Sequence, residues 1–228
     1  MSNAQVTTFG AVLFDLDGTL VDTAPDMVAV LDDLQKMEGQ VPLPYATARA
    51  QVSNGAAGLI HLAFPDADKA KHERLRLQYL ENYQAAVCVH SALFPGLAEL
   101  LDILDAEQYP WGVVTNKPAR MTDPLLAGLG LGLRAACAIS GDTLEQRKPH
   151  PAPLLLASEQ TGVAPQRTVY VGDAARDIEA GRAAGMITIA VEYGYISDDD
   201  PRSWNANHIA ANTAELTTML LKGFNLEA

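Results

Sequence analysis

The sequence is poor in cysteine: Cys88 and Cys137 are the only two in 228 residues. Two thiols cannot build a disulfide framework or, by themselves, a zinc site. Both read as small buried hydrophobes in a protein of the reducing cytoplasm. No apolar run approaches the ~20 residues of a membrane span. The opening MSNAQVTTFG lacks the basic start and apolar stretch of a secretory signal, and residues 1–4 are given no structural weight. Positive charge is also scarce. Sixteen Lys and Arg face 28 Asp and Glu, for a formal net charge of −12. That balance argues against nucleic acid or an anionic membrane as partner. An anionic substrate would need its own local positive charge. Internal repeats and low-complexity segments are missing too. The tract AGLGLGLR at 127–134 lacks the spacing of a nucleotide-binding loop and follows a helix, so it reads as helix termination.

What is present is a core. Hydrophobic residues make up 48% of the chain, enough for one large domain or a core domain with a smaller insert. Short apolar strands are expected at Ala11–Phe14, Gly112–Thr115, Ala135–Ile139, Thr168–Val171 and Ile187–Val191. Helical patterns fall between them, at Gly96–Ala106, Met121–Gly128, Pro151–Thr161 and Ala175–Ala184. This alternation predicts an α/β fold with a doubly wound parallel sheet.

One connection is abnormal. Between the first strand and Phe94 lie more than seventy residues with no convincing strand. Met27, Val30, Leu31 and Leu34 have the spacing of one helix face, and further helices are expected at Tyr45–Val52, Ala56–Ala63 and Asp66–Ala86. Thr23-Ala24-Pro25-Asp26 has the spacing of a capping box. Residues 21–90 therefore read as an inserted helical cap, with 1–20 and 91–228 as the core.

Asp15 and Asp17 follow the first strand, in VLFDLDGTLVDT. A carboxylate pair there is costly unless something neutralises it. Thr115 and Asn116 end the second strand in GVVTNKP, Lys148 precedes a helix in RKPHPAP, and Asp173 and Asp177 follow a strand in YVGDAARD. Each cluster alone could be a turn, a cap or a surface charge. Together, at matching strand ends, they supply a nucleophile, an acid/base, a metal site and a cradle for oxygen charge, the parts of phosphoryl transfer. Hard oxygen ligands without clustered His or Cys point to Mg²⁺.

These four motifs together resemble the haloacid dehalogenase superfamily over nearly the whole chain. The resemblance implies a Rossmann-like core with a helical cap after the first motif. It implies Asp15 as a nucleophile that forms an aspartyl-phosphate, and Asp17 as the acid/base whose backbone carbonyl also binds metal. Thr115 and the N–H of Asn116 would hold phosphate oxygens, with Lys148 balancing charge. Asp15 and Asp173 would ligate Mg²⁺, with Asp177 behind them. The second acid, Asp17, points to phosphate esters rather than dehalogenation.

VHSALFPGLAELL, WGVVTNKPAR, RKPHPAPLLLA and VEYGYI resemble phosphoglycolate phosphatases and, more closely, bacterial phosphatases of N-acetylmuramic acid 6-phosphate in peptidoglycan recycling. The expected substrate is thus a small phosphorylated metabolite. Arg49 is suited to a substrate carboxylate and the Ser53-Asn54-Gly55 loop to sugar or acid oxygens. His61 and His90 read as packing or hinge residues. A sugar-phosphate phosphomutase and a catalytically silent phospholigand-binding relative remain alternatives. The sequence leaves monomer and dimer both open.

Overall fold

Ala11, Val12, Leu13 and Phe14 are completely buried, as befits a strand covered on both faces. In the computed structural model, which describes residues 8–196 and 199–226, they form β1 (Ala11–Phe14). The expectation for residues 1–4 lies outside the described residues. After β1 come β2 (Val21–Asp22), α1 (Ala24–Met37), α2 (Tyr45–Arg49), α3 (Gly55–Ala63), α4 (Lys69–Ala85) and β3 (Ala92–Leu93). The chain continues through α5 (Leu97–Ala106), β4 (Trp111–Val114), α6 (Ala119–Gly128), β5 (Cys137–Ile139) and α7 (Ala152–Thr161). It closes with β6 (Thr168–Gly172), α8 (Ala175–Ala183), β7 (Ile187–Val191), β8 (His208–Ala210) and α9 (Thr213–Phe224).

The main sheet has the order β5-β4-β1-β6-β7-β8, and every pairing in it is parallel. From β1 the chain builds outward through β4 and β5, then returns to β6 on the other side of β1. The carboxyl ends of β1, β4 and β6 therefore meet at the point where the winding reverses, where open α/β sheets bind ligands.

All five expected strands form, although β5 starts at Cys137 and not at Ala135. The sequence reading did not anticipate β8 and α9. Only one of the three β8 residues is buried, as suits an edge strand, so its apolar signal is weak.

The long connection carries helices α1–α4, which pack on one another. On α1, Met27, Leu31 and Leu34 are buried; on α4, Leu75, Tyr79 and Tyr83. The Tyr79 hydroxyl donates to the Met27 carbonyl at 2.9 Å, which ties the two helices together. Helix α4 is shorter than expected because Asp68 caps it, accepting from the Lys71 N–H at 2.8 Å. Helix α2 stops at Arg49, and a separate 3₁₀ turn follows at Val52–Asn54.

Two expectations for this connection are corrected. It is bracketed by a two-stranded antiparallel ribbon, β2 with β3, pairing Val21 with Leu93 and Asp22 with Ala92. Two-residue strands are too short to show periodicity, so the sequence could not reveal them. The capping box also fails: Thr23 makes no side-chain cap bond. Its hydroxyl instead donates to Asp17 Oδ1 at 2.6 Å. Asp26 turns away from its own helix and gathers the returning chain. It accepts from the N–H groups of Val89 (2.9 Å), His90 (2.8 Å) and Ser91 (2.9 Å), and from the Ser91 hydroxyl at 2.7 Å. Both junctions of the insert are thus pinned by carboxylates.

Candidate active site

The end of β1 is shaped by a glycine. Gly18 has φ +83°, and a Cβ there would lie 2.2 Å from Asp173 Oδ2. Only glycine permits both this turn and this approach. The backbone after Asp17 can therefore turn closely against Asp173 at the end of β6.

Asp15 is buried, and its Oδ1 accepts from the Leu16 N–H at 2.7 Å and pairs with Lys148 Nζ at 2.9 Å. The same ammonium sits 2.8 Å from Asp177 Oδ1 and donates to the Val114 carbonyl at 2.9 Å. Burial alone would lower the Lys148 pKa, but Asp15 and Asp177 outweigh it and hold the group above its ordinary value. Lys148 is consequently a permanent buried cation. Its backbone carbonyl accepts from Asn116 Nδ2 at 2.9 Å, which locks the β4 loop to the Lys148 loop. Among the described residues the Asn116 amide oxygen Oδ1 is buried without a partner. Thr115 lies one residue beyond β4, and its hydroxyl accepts from the Lys117 N–H at 3.1 Å.

Carboxylate oxygens of Asp15, Asp173 and Asp177 lie within 4.8 Å of one another, and all three residues are buried. Burial, then the charges of Asp15 and Asp177, push Asp173 up to about 7. Burial also raises Asp177, against the pull of Lys148. Three crowded carboxylates share the Lys148 ammonium and the nearby Arg176 guanidinium, one positive charge short of balance. A hard divalent cation would supply it, so this donor set fits such a metal. Asp173 is also fixed by protein donors: the Tyr195 N–H at 2.8 Å and the Ser53 hydroxyl at 3.0 Å, both onto Oδ2.

Asp17 sits apart from the triad. Its Oδ1 accepts from the Thr23 hydroxyl and pairs with Lys117 Nζ at 2.9 Å. Lys117 also donates to the Tyr83 hydroxyl of α4 at 2.8 Å and lies 4.5 Å from that ring's centroid.

These groups open into a cavity of about 590 Å³ between the sheet and the helical insert. Asp15, Asp17, Thr115, Asn116 and Lys148 line its floor, while Ser53, Asn54 and Gly55 line its roof. Arg49 is not among the lining residues. Its guanidinium stacks 4.7 Å above the Tyr195 ring and points at the carbonyls of Gly194 and Tyr193. Arg49, expected at a substrate carboxylate, here makes a contact between the insert and the β7 loop. His61 stacks on His72 within the insert, and the N–H of His90 is one of those held by Asp26.

Sequence reasoning missed several participants. Tyr195 follows β7, a fifth strand end that the YGY tract could have flagged. Arg176 lies inside the GDAARD motif and donates to the Ser53 carbonyl at 2.9 Å. Lys117 stands within the quoted TNK and had no assigned role. Tyr83 gave no signal, since its position on α4 reads only as part of an apolar face.

Comparison with known proteins agrees with this geometry. Residues 9–185 match the family model described as haloacid dehalogenase-like hydrolase. The chain is 44% identical over 207 residues to a phosphoglycolate phosphatase of Xanthomonas campestris pv. campestris, covering 90% of this chain and 94% of that protein. It is 43% identical over 214 residues to an N-acetylmuramic acid 6-phosphate phosphatase of Pseudomonas putida, covering 92% and 95%. A crystal structure described as a predicted phosphoglycolate phosphatase from Haemophilus somnus superposes with a TM-score of 0.82 at 27% identity, covering 92% and 97%. Among the described residues no helix is long and apolar enough to cross a membrane. With Asp15 at the end of β1, its Lys148 partner and the acidic triad in place, the chain belongs to the haloacid dehalogenase-like hydrolases and is an enzyme of their phosphatase type.

Proposed function

We propose that the protein is a Mg²⁺-dependent phosphomonoester hydrolase that acts on a small carboxylated phosphate ester through an aspartyl-phosphate. In this reading residues 1–20 and 91–228 form the catalytic core and 21–90 the cap. The carrying observation is the Asp15–Lys148–Asp177 chain beside Asp173, with a second carboxylate, Asp17, across the cavity floor.

Two bonds fall on Asp15 Oδ1, so Oδ2 is the oxygen left to attack phosphorus. As the bond from Asp15 to phosphorus forms, the bond to the ester oxygen breaks, and Asp17 gives that oxygen a proton. Asp17 then takes a proton from the water that attacks phosphorus, and Asp15 leaves as a carboxylate. Lys148 balances charge on Asp15 and on the phosphoryl oxygens, which Thr115 and the Asn116 N–H also hold. Asp15, Asp173 and the Asp17 carbonyl would hold Mg²⁺, with Asp177 orienting Lys148 from behind. The bound cation would neutralise phosphoryl oxygen charge. Ser53, Asn54 and Gly55 would close over the substrate and exclude water.

Relatives named for 2-phosphoglycolate and for N-acetylmuramic acid 6-phosphate share a substrate carboxylate. A cavity of about 590 Å³ is roomy for a two-carbon acid and suits a sugar acid. That favours N-acetylmuramic acid 6-phosphate of the two. Free thiols at Cys88 and Cys137 support a reducing cytoplasmic setting.

The test is phosphate release from a panel of monoesters, with Mg²⁺ and with chelator. The panel holds 2-phosphoglycolate, N-acetylmuramic acid 6-phosphate and hexose phosphates. Metal-dependent release, abolished by Asp15→Asn in a folded protein, is expected. Intramolecular phosphate migration without release would move the phosphomutase ahead, and no turnover at all the silent binder.

A further inference from the structure

We propose that Lys117 binds the substrate's carboxylate, and is thus the residue by which the site selects carboxylated phosphate esters. This rests on the phosphatase reading above and deepens it.

In a chain with 28 acidic and 16 basic residues, the cavity is inverted: Arg76, Lys117, Arg147, Lys148 and Arg176 line it against Asp15 and Asp17 alone. Such a surplus of positive charge is suited to an anion beyond the phosphoryl group. Most of these cations are already committed. Lys148 is shared by Asp15 and Asp177. Arg176 donates to the Ser53 carbonyl, and although its Nε is buried without a partner among the described residues, its charge is held by Asp177, Asp15 and Asp173. Arg76 is bonded twice to Glu73 at the solvent edge. Arg147 is exposed.

Lys117 is buried and is turned toward Asp17 rather than the triad. It is only 8% exposed. An ammonium has three N–H donors. Among the described residues the Lys117 side chain donates to Asp17 Oδ1 and to the Tyr83 hydroxyl, which leaves one donor unspent in a group that lines the cavity. An acid that protonates the leaving oxygen must lie within hydrogen-bond reach of it. Through the shared Asp17 Oδ1, 2.9 Å from Lys117, that oxygen then lies no more than about 6 Å from the ammonium, two hydrogen-bond lengths at most. Reached through Asp17, the ammonium would meet the alcohol part of the ester. The wall around it is apolar or aromatic, with Met27, Val52, Tyr79, Leu80 and Met121. In such surroundings a charge-assisted hydrogen bond is strong and a carboxylate-free analogue leaves a donor unpaired. Tyr83 brings the helical insert into the same contact, so the ammonium is held from both sides of the cavity.

The experiment compares kcat/KM for two matched pairs under saturating Mg²⁺: N-acetylmuramic acid 6-phosphate against N-acetylglucosamine 6-phosphate, and 2-phosphoglycolate against ethyl phosphate. The unsubstituted enzyme should prefer the carboxylated member of at least one pair. Lys117→Met should cut that preference roughly 10- to 100-fold, mostly through KM, the scale of one charge-assisted hydrogen bond. Lys117→Arg should restore part of it. An unchanged preference, or equal loss on both members, would overturn the inference while leaving the phosphatase intact. So would an unsubstituted enzyme indifferent to the carboxylate. Absence of release from every ester would overturn the phosphatase reading itself, and this inference with it. Should Lys117→Met fail to fold, product inhibition of the unsubstituted enzyme decides. N-acetylmuramic acid must then inhibit more strongly than N-acetylglucosamine, and equal inhibition refutes the assignment.

Discussion

Asp173 links the chemistry of the site to the stability of the fold. Its carboxyl titrates at about 7 in the folded protein against 3.8 for the free side chain. A folded value above the unfolded one means that the fold tolerates the neutral acid better than the ion. The resulting stabilisation is complete below pH ~4 and is lost as pH rises toward 7. By pH 8 the ion costs the metal-free protein up to about 4 kcal/mol, at 1.36 kcal/mol per pKa unit. Burial is the largest cause, and the rest comes from Asp15 and Asp177, which a divalent cation would offset. Relief of half that cost raises Tm by roughly 4–8 °C for a chain of this length. Thermal unfolding with excess Mg²⁺ and with chelator should therefore show a larger Mg²⁺ shift at pH 8 than at pH 5.5. Asp173→Asn keeps an acceptor for the Tyr195 N–H and the Ser53 hydroxyl but cannot ionise. Without metal at pH 8 it should melt several degrees above the unsubstituted protein, show no Mg²⁺ shift and release no phosphate. Equal Mg²⁺ shifts at the two pH values, or an Asp173→Asn protein that melts lower at pH 8, would refute the reasoning.

Other consequences concern Asp26 and Lys148. Asp26→Ala strips four donors of their acceptor and should cost about 3 kcal/mol, read as a Tm drop of roughly 6–12 °C. Burial opposes ionisation of Asp26, but its bonds from Ser91, His90 and Val89 lower the pKa overall. Its contribution is therefore present at neutral pH and fades as pH falls below the unfolded value, so the Tm gap should narrow near pH 3. Lys148→Met leaves Asp15 and Asp177 facing each other unpaired, which should cost about 3–5 kcal/mol in chemical denaturation and remove phosphate release.

The sequence by itself determined five strands of the main sheet, most of the helices and the positions of the candidate site residues, but not β2, β3, β8 or α9. Strand runs such as Ala11–Phe14 and Thr168–Gly172 are local patterns, and the residue that follows a strand is fixed by covalent order. Asp15, Thr115 and Asp173 were therefore legible as strand-end residues before any coordinates. Lys148 was legible as the residue before a helix, and Asp177 from its spacing to Asp173. Which strand ends meet was not legible, because the order β5-β4-β1-β6-β7-β8 is a choice among packings that share the same local signals.

Tertiary structure alone decided where long side chains go. Arg49 and Lys117 are both basic residues near promising motifs. One is drawn to the Tyr195 ring and the other to Asp17, by partners 146 and 100 residues away in the chain. The Ser53 contact with Asp173 spans 120 residues, and that of Tyr195 with Asp22 spans 173. Helical or strand periodicity carries information over a few turns, whereas these bonds depend on how the insert settles on the sheet. The sequence could thus place the carboxylates at the strand ends, but only the fold could show that Lys117 lines the cavity and Arg49 does not.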